Sequence, residues 1–198
     1  MARRILLFGA TGTIGTAVAA ALTGRYDVIP ASRTHAAHRV DITSMDSIRE
    51  LFRHVGPVDA VVCTAGDARF GPLPQLKDED YAFSLHNKLM GQVNLTRIAL
   101  EQLADRGSVT LTSGVLARTP MPGSAAISLV NAGLEGFVRA AALEAPRGIR
   151  VNVVSPPWVT ETLVALKMDP SKGKPAAEVA LAYLRSIEGS DTGQVLEA

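Results

Sequence analysis

Short apolar runs alternate along this chain with segments in which apolar residues recur at helical spacing. The runs at residues 5–8 and 58–63 are almost wholly apolar, as expected of parallel strands that are covered on both faces. After the first run, Ile14, Val18 and Leu22 stand four residues apart, which places them on one face of a helix. The pattern therefore predicts buried strands connected by helices.

The same alternation continues to the end of the chain. Strands are predicted at residues 4–8, 27–31, 39–42, 58–63, 108–112, 150–154 and 194–196. Helices are predicted at residues 14–22, from the Ser44 cap to residue 55, and at 78–104, 124–145 and 175–187. Because helical crossovers place neighbouring strands parallel, we expect an α/β fold with a doubly wound, mainly parallel sheet and helices on both faces. No linker interrupts the pattern, so residues 1–198 are predicted to form one domain.

A glycine-rich turn joins the first predicted strand to the first predicted helix. Glycine permits a tight turn, a close approach of backbone to phosphate, and tight packing of helix on strand. The free N–H groups at the start of the helix then bind the pyrophosphate of a dinucleotide. An ordinary strand-to-helix turn is the alternative. The predicted contacts are Gly9, Thr11, Gly12, Thr13, Ile14 and Gly15.

The end of the second predicted strand indicates which dinucleotide is bound. A site for NAD usually offers a carboxylate there to the ribose 2′-hydroxyl. This chain has Ser32, Arg33 and Thr34 instead, and Asp27 lies at the start of the strand. A guanidinium pairs well with a 2′-phosphate, so the sequence predicts NADP(H) in preference to NAD(H). The alternative is that Arg33 is a solvated loop residue.

Composition excludes several other classes of protein. The 20 Lys and Arg residues nearly balance the 19 Asp and Glu residues, so no basic surface for nucleic acid or an anionic membrane is expected. The single cysteine, Cys63, excludes an internal disulfide and a cysteine-based metal site, and no metal is predicted. The apolar run at 5–8 is too short for a signal peptide or a membrane span. We expect a cytoplasmic protein that acts on a small molecule, with no nucleic-acid or membrane partner.

Taken together, these motifs resemble the short-chain dehydrogenase/reductase family over nearly the whole chain. Besides the glycine turn, the resemblance rests on Asp41-Ile42, on Cys63-Thr64-Ala65-Gly66, on a strand ending in Ser113, and on the segment 151–159. It implies a Rossmann-like domain. It also implies further cofactor contacts: Asp41 and Ile42 at the adenine, Thr64, Ala65 and Gly66 after the fourth strand, and Pro156 and Val159 at the nicotinamide. Two departures are that the middle glycine comes one residue early and that Pro157 replaces a glycine.

The family's chemistry depends on a serine, a tyrosine and a lysine, and only the serine is matched. Ser113 stands at the serine position, but Ile127 and Asn131 stand at the positions of the Tyr-x-x-x-Lys pair. An isoleucine has no proton to donate. The chain therefore resembles a short, divergent subgroup of the family that lacks this pair.

Lys88 stands where the family usually has an asparagine, three residues before Gly91. With Asn131 at the lysine position, the two residue types are exchanged, and we hypothesise that Lys88 restores a cation beside the nicotinamide ribose. The alternative is a solvated Lys88, with Asn87 as the true equivalent. Ser124 lies one helical turn before Ile127 and is a candidate proton relay.

Three hypotheses for function follow. The first is an NADP(H)-dependent oxidoreductase with a divergent active site, in which Ser113 polarises the substrate, Lys88 and Asn131 organise the ribose and a water, and Ser124 or water relays the proton. The second is a non-catalytic NADP(H)-binding sensor or partner protein, and the third is a non-redox enzyme on the same fold. The resemblance also implies a homodimer or homotetramer that pairs the helices near 78–104 and 124–145.

Overall fold

A parallel sheet forms the centre of the molecule, which we describe from a computed structural model covering residues 2–198. Its strands are β1 Arg4–Phe8, β2 Asp27–Ser32, β3 His38–Arg39, β4 Val58–Cys63, β5 Leu103–Thr112, β6 Arg150–Ser155 and β7 Val195–Glu197. They lie in the order β3-β2-β1-β4-β5-β6-β7, and every neighbouring pair is parallel. All carboxyl ends therefore meet at one edge, and the strand order reverses between β1 and β4, where ligands bind in open α/β sheets. The predicted fold class is confirmed.

Helices cover both faces of this sheet. They are α1 Thr13–Leu22, α2 Met45–Val55, α3 Asp78–Ser84, α4 Gly91–Gln102, α5 Ala125–Glu144, α6 Thr160–Ala165 and α7 Ala176–Glu188. The alternation of side chains along β1 shows the two layers. Ile5 and Leu7 are buried with α1 and α7, whereas Leu6 and Phe8 are buried with α2, α4 and α5. Strands buried on both faces explain the continuous apolar runs.

The predicted helical stretch over residues 78–104 is confirmed for residues 78–102, but it is not a single α-helix. The chain instead forms α3, a wide π-helical turn at Leu85–Met90, α4, and then the start of β5 at Leu103. A π-turn places one extra residue in the helix and changes the direction in which side chains point. At its far end, Leu103 is buried and pairs with Val58 of β4, so the strand begins before Gly107.

The third predicted strand is also shorter than expected. Only His38–Arg39 pair with β2, and the prediction of a strand over 39–42 is corrected. Asp41 accepts hydrogen bonds from the backbone N–H and the hydroxyl of Thr43 at its Oδ1 atom. This local turn is typical of aspartate and takes the backbone out of the sheet before Ile42.

One helix within residues 2–198, α5, is long and apolar enough to cross a membrane by length and composition alone. The core helix of a folded domain passes the same test, and Val130, Leu134 and Val138 of α5 are buried. This helix is therefore weak support for a membrane span.

Candidate active site

A cleft of about 280 Å³ opens at the carboxyl edge of the sheet, where the strand order reverses. Most of the predicted cofactor residues line it: Gly9, Thr11, Gly12, Ser32, Arg33, Thr34, Asp41, Ile42, Thr64, Ala65 and Gly66. Val40, Asp67 and Asn87 complete the lining. The residues that the glycine turn and the family resemblance pointed to thus come from four strand ends into one cleft.

Five predicted cofactor residues lie outside this lining. They are Thr13, Ile14, Gly15, Pro156 and Val159. Thr13 lines an adjoining cleft that also contains Thr11, Gly12 and Glu161. Glu161 is engaged at the start of α7, because both of its carboxylate oxygens accept the backbone N–H of Ala176.

The three glycines of the turn have different physical roles. A Cβ on Gly15 would lie 2.0 Å from the carbonyl oxygen of Gly9, and a Cβ on Gly9 would lie 2.7 Å from the backbone N of Ala65. Gly9 also has a φ of 79°, which other residues rarely adopt. A Cβ on Gly12 would meet only the carbonyl oxygen of Gly9, at 3.5 Å. Gly9 and Gly15 are therefore needed for packing, while Gly12 leaves space above the turn.

Gly12 is also the N-cap residue of α1. No side chain caps this helix, and its first turn contains no acidic residue. The N–H groups of the first turn are thus available to an anion, and the helix dipole favours negative charge there. Together with the space above Gly12, this fits the pyrophosphate of a dinucleotide.

The other end of the cleft suits an adenosine. Burial acts to raise the pKa of Asp41, but the hydrogen bonds from Thr43, followed by the charges of Arg33 and His86, hold it below its ordinary value. Ser32 is buried and accepts the backbone N–H of His35. Arg33 is exposed at the rim and forms no ion pair within residues 2–198. Its guanidinium is therefore free to bind a phosphate group.

Two buried charges converge on Ser113, at the end of β5. Among residues 2–198, Lys88 and Glu135 are the only charged residues that are buried. Lys88 Nζ donates to the carbonyl oxygen of Ser113 at 3.0 Å, and the hydroxyl of Ser113 donates to Glu135 Oε1 at 3.2 Å. Ser113 is itself 2% exposed. The only two buried charges in the described chain thus contact the same residue.

Lys88 lies within the π-helical turn and packs against Gly66, because a Cβ on Gly66 would lie 3.0 Å from Lys88 Cγ. Burial lowers the pKa of the Lys88 ammonium to about 8, against the opposing effects of Asp67 and Cys63. The alternative of a solvated Lys88 does not fit an 8% exposed side chain. Asn87 instead accepts the backbone N–H of Asp67 at 2.8 Å.

Asn131, on α5, contacts the residue that follows Ser113. Its Nδ2 donates to the carbonyl oxygen of Gly114 at 3.5 Å, a long contact, and its buried Oδ1 has no hydrogen-bond partner within residues 2–198. Lys88 and Asn131 therefore donate to two successive carbonyl groups, those of Ser113 and Gly114. An unpaired buried oxygen beside this segment is suited to a water or a ligand group.

Ser124 belongs to the turn that begins α5. Its hydroxyl oxygen accepts the backbone N–H of Met121 and the hydroxyl of Ser128, both at 3.0 Å. No direct hydrogen bond joins Ser124 to Ser113 among the described residues. A relay through Ser124 therefore needs an intervening water or a rotation of its side chain.

A comparison with known families shows which family the chain belongs to. A family profile described as Enoyl-(Acyl carrier protein) reductase matches residues 2–195. The chain belongs to the short-chain dehydrogenase/reductase family. Its named relatives include reductases and a dehydrogenase.

Curated relatives of this short-chain dehydrogenase/reductase include mouse (Mus musculus) 3-oxoacyl-[acyl-carrier-protein] reductase, which is 32% identical over 131 residues. That match covers 63% of this chain and 56% of the mouse protein, so it spans little more than half of the relative. Zebrafish (Danio rerio) carbonyl reductase family member 4 is 28% identical over an alignment that covers 99% of this chain and 96% of the relative.

Solved structures extend the comparison over the full length. The protein lin1944 from Listeria innocua is 40% identical, with a TM-score of 0.96 and complete coverage of both chains. A small-chain dehydrogenase in complex with NADPH is 26% identical, with a TM-score of 0.88, covering 100% of this chain and 97% of the other. The fold of the family member described here is thus that of its solved relatives.

The sequence pattern did not single out Glu135 as a residue of the site in this short-chain dehydrogenase/reductase. Glu135 lies four residues after Asn131 on α5, and residues at that spacing share a face of a helix. Arg118 lies beside it, with Nε 3.8 Å from the same Oε1 atom that Ser113 contacts. The helical spacing was the available signal, and the approach of Ser113 became visible only in the folded chain.

Proposed function

We propose that this short-chain dehydrogenase/reductase is an NADP(H)-dependent oxidoreductase with a divergent active site centred on Ser113. The observation that carries the proposal is the convergence of buried Lys88 and Glu135 on Ser113, in the fold whose cleft suits a dinucleotide. Burying a charge is unfavourable unless it is paired and hydrogen-bonded. Burial lowers the pKa of Lys88 to about 8, and a strongly perturbed titratable group is characteristic of a functional site.

The cofactor is held by the residues already described. The first turn of α1 binds the pyrophosphate above Gly12, and Arg33 binds the 2′-phosphate of NADP(H). The NADPH-bound relative supports this choice of cofactor. When bound, the nicotinamide ring supplies a hydride to the substrate carbon or accepts one from it.

The chain's own residues then position the substrate and handle the proton. Lys88 and Asn131 hold the carbonyl groups of Ser113 and Gly114 and so fix the segment that presents the serine. With a pKa of about 8, Lys88 is mostly protonated at neutral pH and supplies the cation that Asn131 does not. Ser113 binds the substrate oxygen, with Ser124 or a water as a further relay.

Ile127 restricts the substrates that this site turns over. Loss of a general acid typically lowers a rate by about 10²- to 10⁴-fold. Activated small molecules, such as iminium ions or conjugated enones, tolerate that loss better than simple ketones. We therefore propose an activated carbonyl compound or imine as the substrate class.

The test is the consumption of NADPH with a panel of such compounds, followed by its absorbance. Wild-type protein is expected to oxidise NADPH with at least one of them, and Ser113→Ala is expected to lose about 100-fold or more of that rate. Ser171→Ala, an exposed serine, is the control. Equal rates for wild type and Ser113→Ala would contradict the assignment of Ser113.

A non-catalytic NADP(H)-binding protein is the second candidate, and Ile127 is the observation that favours it. That protein would bind NADPH but oxidise it with none of the compounds in the panel. Turnover with any of them would exclude this candidate as a complete account.

We also propose that the chain forms a homodimer or homotetramer through α4 and α5. The outer surface of α5 exposes Ala132, Gly136 and Leu129, and small residues permit close packing of helices. Light scattering should give at least twice the mass of the chain. A monomeric mass would contradict this proposal.

A further inference from the structure

The hydroxyl of Ser113 is directed into the protein. Both of its partners are acceptors, Glu135 Oε1 at 3.2 Å and the carbonyl oxygen of Val154 at 3.4 Å. A serine hydroxyl has a single hydrogen to donate. In this state Ser113 therefore offers a substrate only its oxygen lone pairs, and a substrate hydroxyl would be the donor.

Glu135 connects this serine to the outside of the protein. Arg118 Nε lies 3.8 Å from Glu135 Oε1, and Arg118 Nη1 pairs with Glu197 at the end of β7. The Arg118 side chain is 44% exposed, whereas that of Glu135 is 6% exposed. Arg118 and Glu197 line a cleft of about 230 Å³, together with Ser155, whose buried hydroxyl has no hydrogen-bond partner within residues 2–198. Arg118 thus links Glu135 to a cleft that reaches solvent.

We propose that Glu135 is the proton acceptor of Ser113 and, through it, of a substrate hydroxyl; the reaction that the pair serves rests on the proposed function. In the oxidative direction, the substrate O–H bond breaks and its proton bonds to Ser113 Oγ. The hydroxyl proton of Ser113 passes to Glu135 and then to water. The substrate C–H bond breaks, its electron pair leaves with the hydride that a bound NADP⁺ would accept, and the electron pair of the former O–H bond forms the second bond of the carbonyl group. Reduction runs the same transfers in reverse. Glu135 and Ser113 together thereby provide an indirect route for the proton, while the direct donor that Ile127 lacks is still missing.

A purely structural ion pair with Arg118 is the competing explanation for Glu135. The proposal requires that the carboxylate act on the ionisation of position 113, and the kinetic measurement below separates it from a purely structural ion pair. A thiol placed there reports this without any substrate, because a nearby carboxylate opposes formation of the thiolate. Burial raises the pKa of the Cys63 thiol to about 12, so the native cysteine remains protonated at lower pH.

The experiment titrates the ultraviolet thiolate absorbance of Ser113→Cys, Ser113→Cys/Glu135→Gln and Ser113→Cys/Glu144→Gln, with wild type subtracted. Removing the carboxylate at position 135 is expected to lower the pKa of the introduced thiol by about one, which raises its thiolate fraction at pH 7 about tenfold. Glu144 is exposed at the end of the same helix, and its substitution should change nothing. Identical titrations of the first two variants would overturn the proposal.

A kinetic measurement on chains with the native serine completes the test. Glu135→Gln is expected to bind NADPH as wild type does, and to lose about 100-fold or more in kcat. In the proposal the carboxylate form of Glu135 accepts the proton, so the oxidation rate of wild type is expected to rise with pH and that of Glu135→Gln is not. Unchanged kcat and pH profile would overturn the proposal. If Glu135→Gln does not fold, Glu135→Asp, which keeps the charge on a shorter side chain, should show an intermediate kcat.

The proposed function can be contradicted independently of the proposal about Glu135. Wild-type protein that binds no NADPH or turns over no substrate would contradict the oxidoreductase assignment. The thiol titration would still decide whether the carboxylate of Glu135 acts on the ionisation of position 113.

Discussion

Replacing Lys88 by methionine should change how the stability of the protein depends on pH. Burial lowers the pKa of the Lys88 ammonium from 10.5 to about 8 in the folded chain. Between these two values the unfolded chain binds more protons than the folded chain, so the free energy of unfolding rises with pH. Below about pH 8 the lysine is protonated in both states and its contribution is constant.

The size of the effect follows from the same pKa values. A pKa change from 10.5 to about 8 corresponds to about 3 kcal/mol. Wild-type protein should therefore gain about 3 kcal/mol of unfolding free energy relative to Lys88→Met between pH 7 and about pH 10.5. Methionine has a similar length and no charge, so it removes the titration while filling most of the space.

Urea denaturation followed by circular dichroism, at a series of pH values, measures this difference. Lys172→Met is the matched control, since Lys172 is exposed, and its curve should run parallel to that of wild type. Parallel curves for wild type and Lys88→Met would refute the reasoning. They would show that Lys88 keeps its ordinary pKa in the folded protein and is not desolvated beside Ser113.

Three further outcomes are expected. Gly15→Ala should strongly destabilise the protein, because its Cβ would lie 2.0 Å from the Gly9 carbonyl oxygen, and a thermal melt showing an unchanged Tm would contradict this. Gly12→Ala should keep its Tm, because the nearest atom to its Cβ would be the Gly9 carbonyl oxygen at 3.5 Å. The same variant should bind NADPH more weakly in a calorimetric titration. An unchanged affinity would argue against a pyrophosphate at this turn. Cys63 should resist alkylation in the native protein at pH 8, because it is fully buried and its pKa is raised to about 12, and should react in urea; rapid labelling without urea would contradict its burial.

The fold was predictable because its information is local. Strands buried on both faces appear as continuous apolar runs, and β4 was predicted with its observed bounds, Val58–Cys63. The glycine turn was predictable because its spacing is a local pattern: Gly15 is required by a contact with the nearby Gly9 carbonyl oxygen, although Gly9 itself packs against the distant Ala65.

The π-helical turn between α3 and α4 was not predictable from periodicity. This turn accompanies contacts with distant residues, since Lys88 packs on Gly66 and bonds to Ser113. The role of Glu135 was hidden for the same reason. A glutamate on an Ala-rich helix gives no local sign that a strand end brings a serine hydroxyl to 3.2 Å from it.

Calorimetric titration with NADPH, NADP⁺ and NADH tests the central claim most directly, using wild type, Arg33→Ala and the exposed control Arg139→Ala. Wild-type protein should bind NADPH at about micromolar affinity or tighter. Arg33→Ala should weaken NADPH binding about ten- to hundredfold and leave NADH binding unchanged. Arg139→Ala should bind NADPH as wild type does. Absence of binding by all three nucleotides would contradict the dinucleotide site, and equal affinity of wild type and Arg33→Ala for NADPH would contradict the choice of NADP(H).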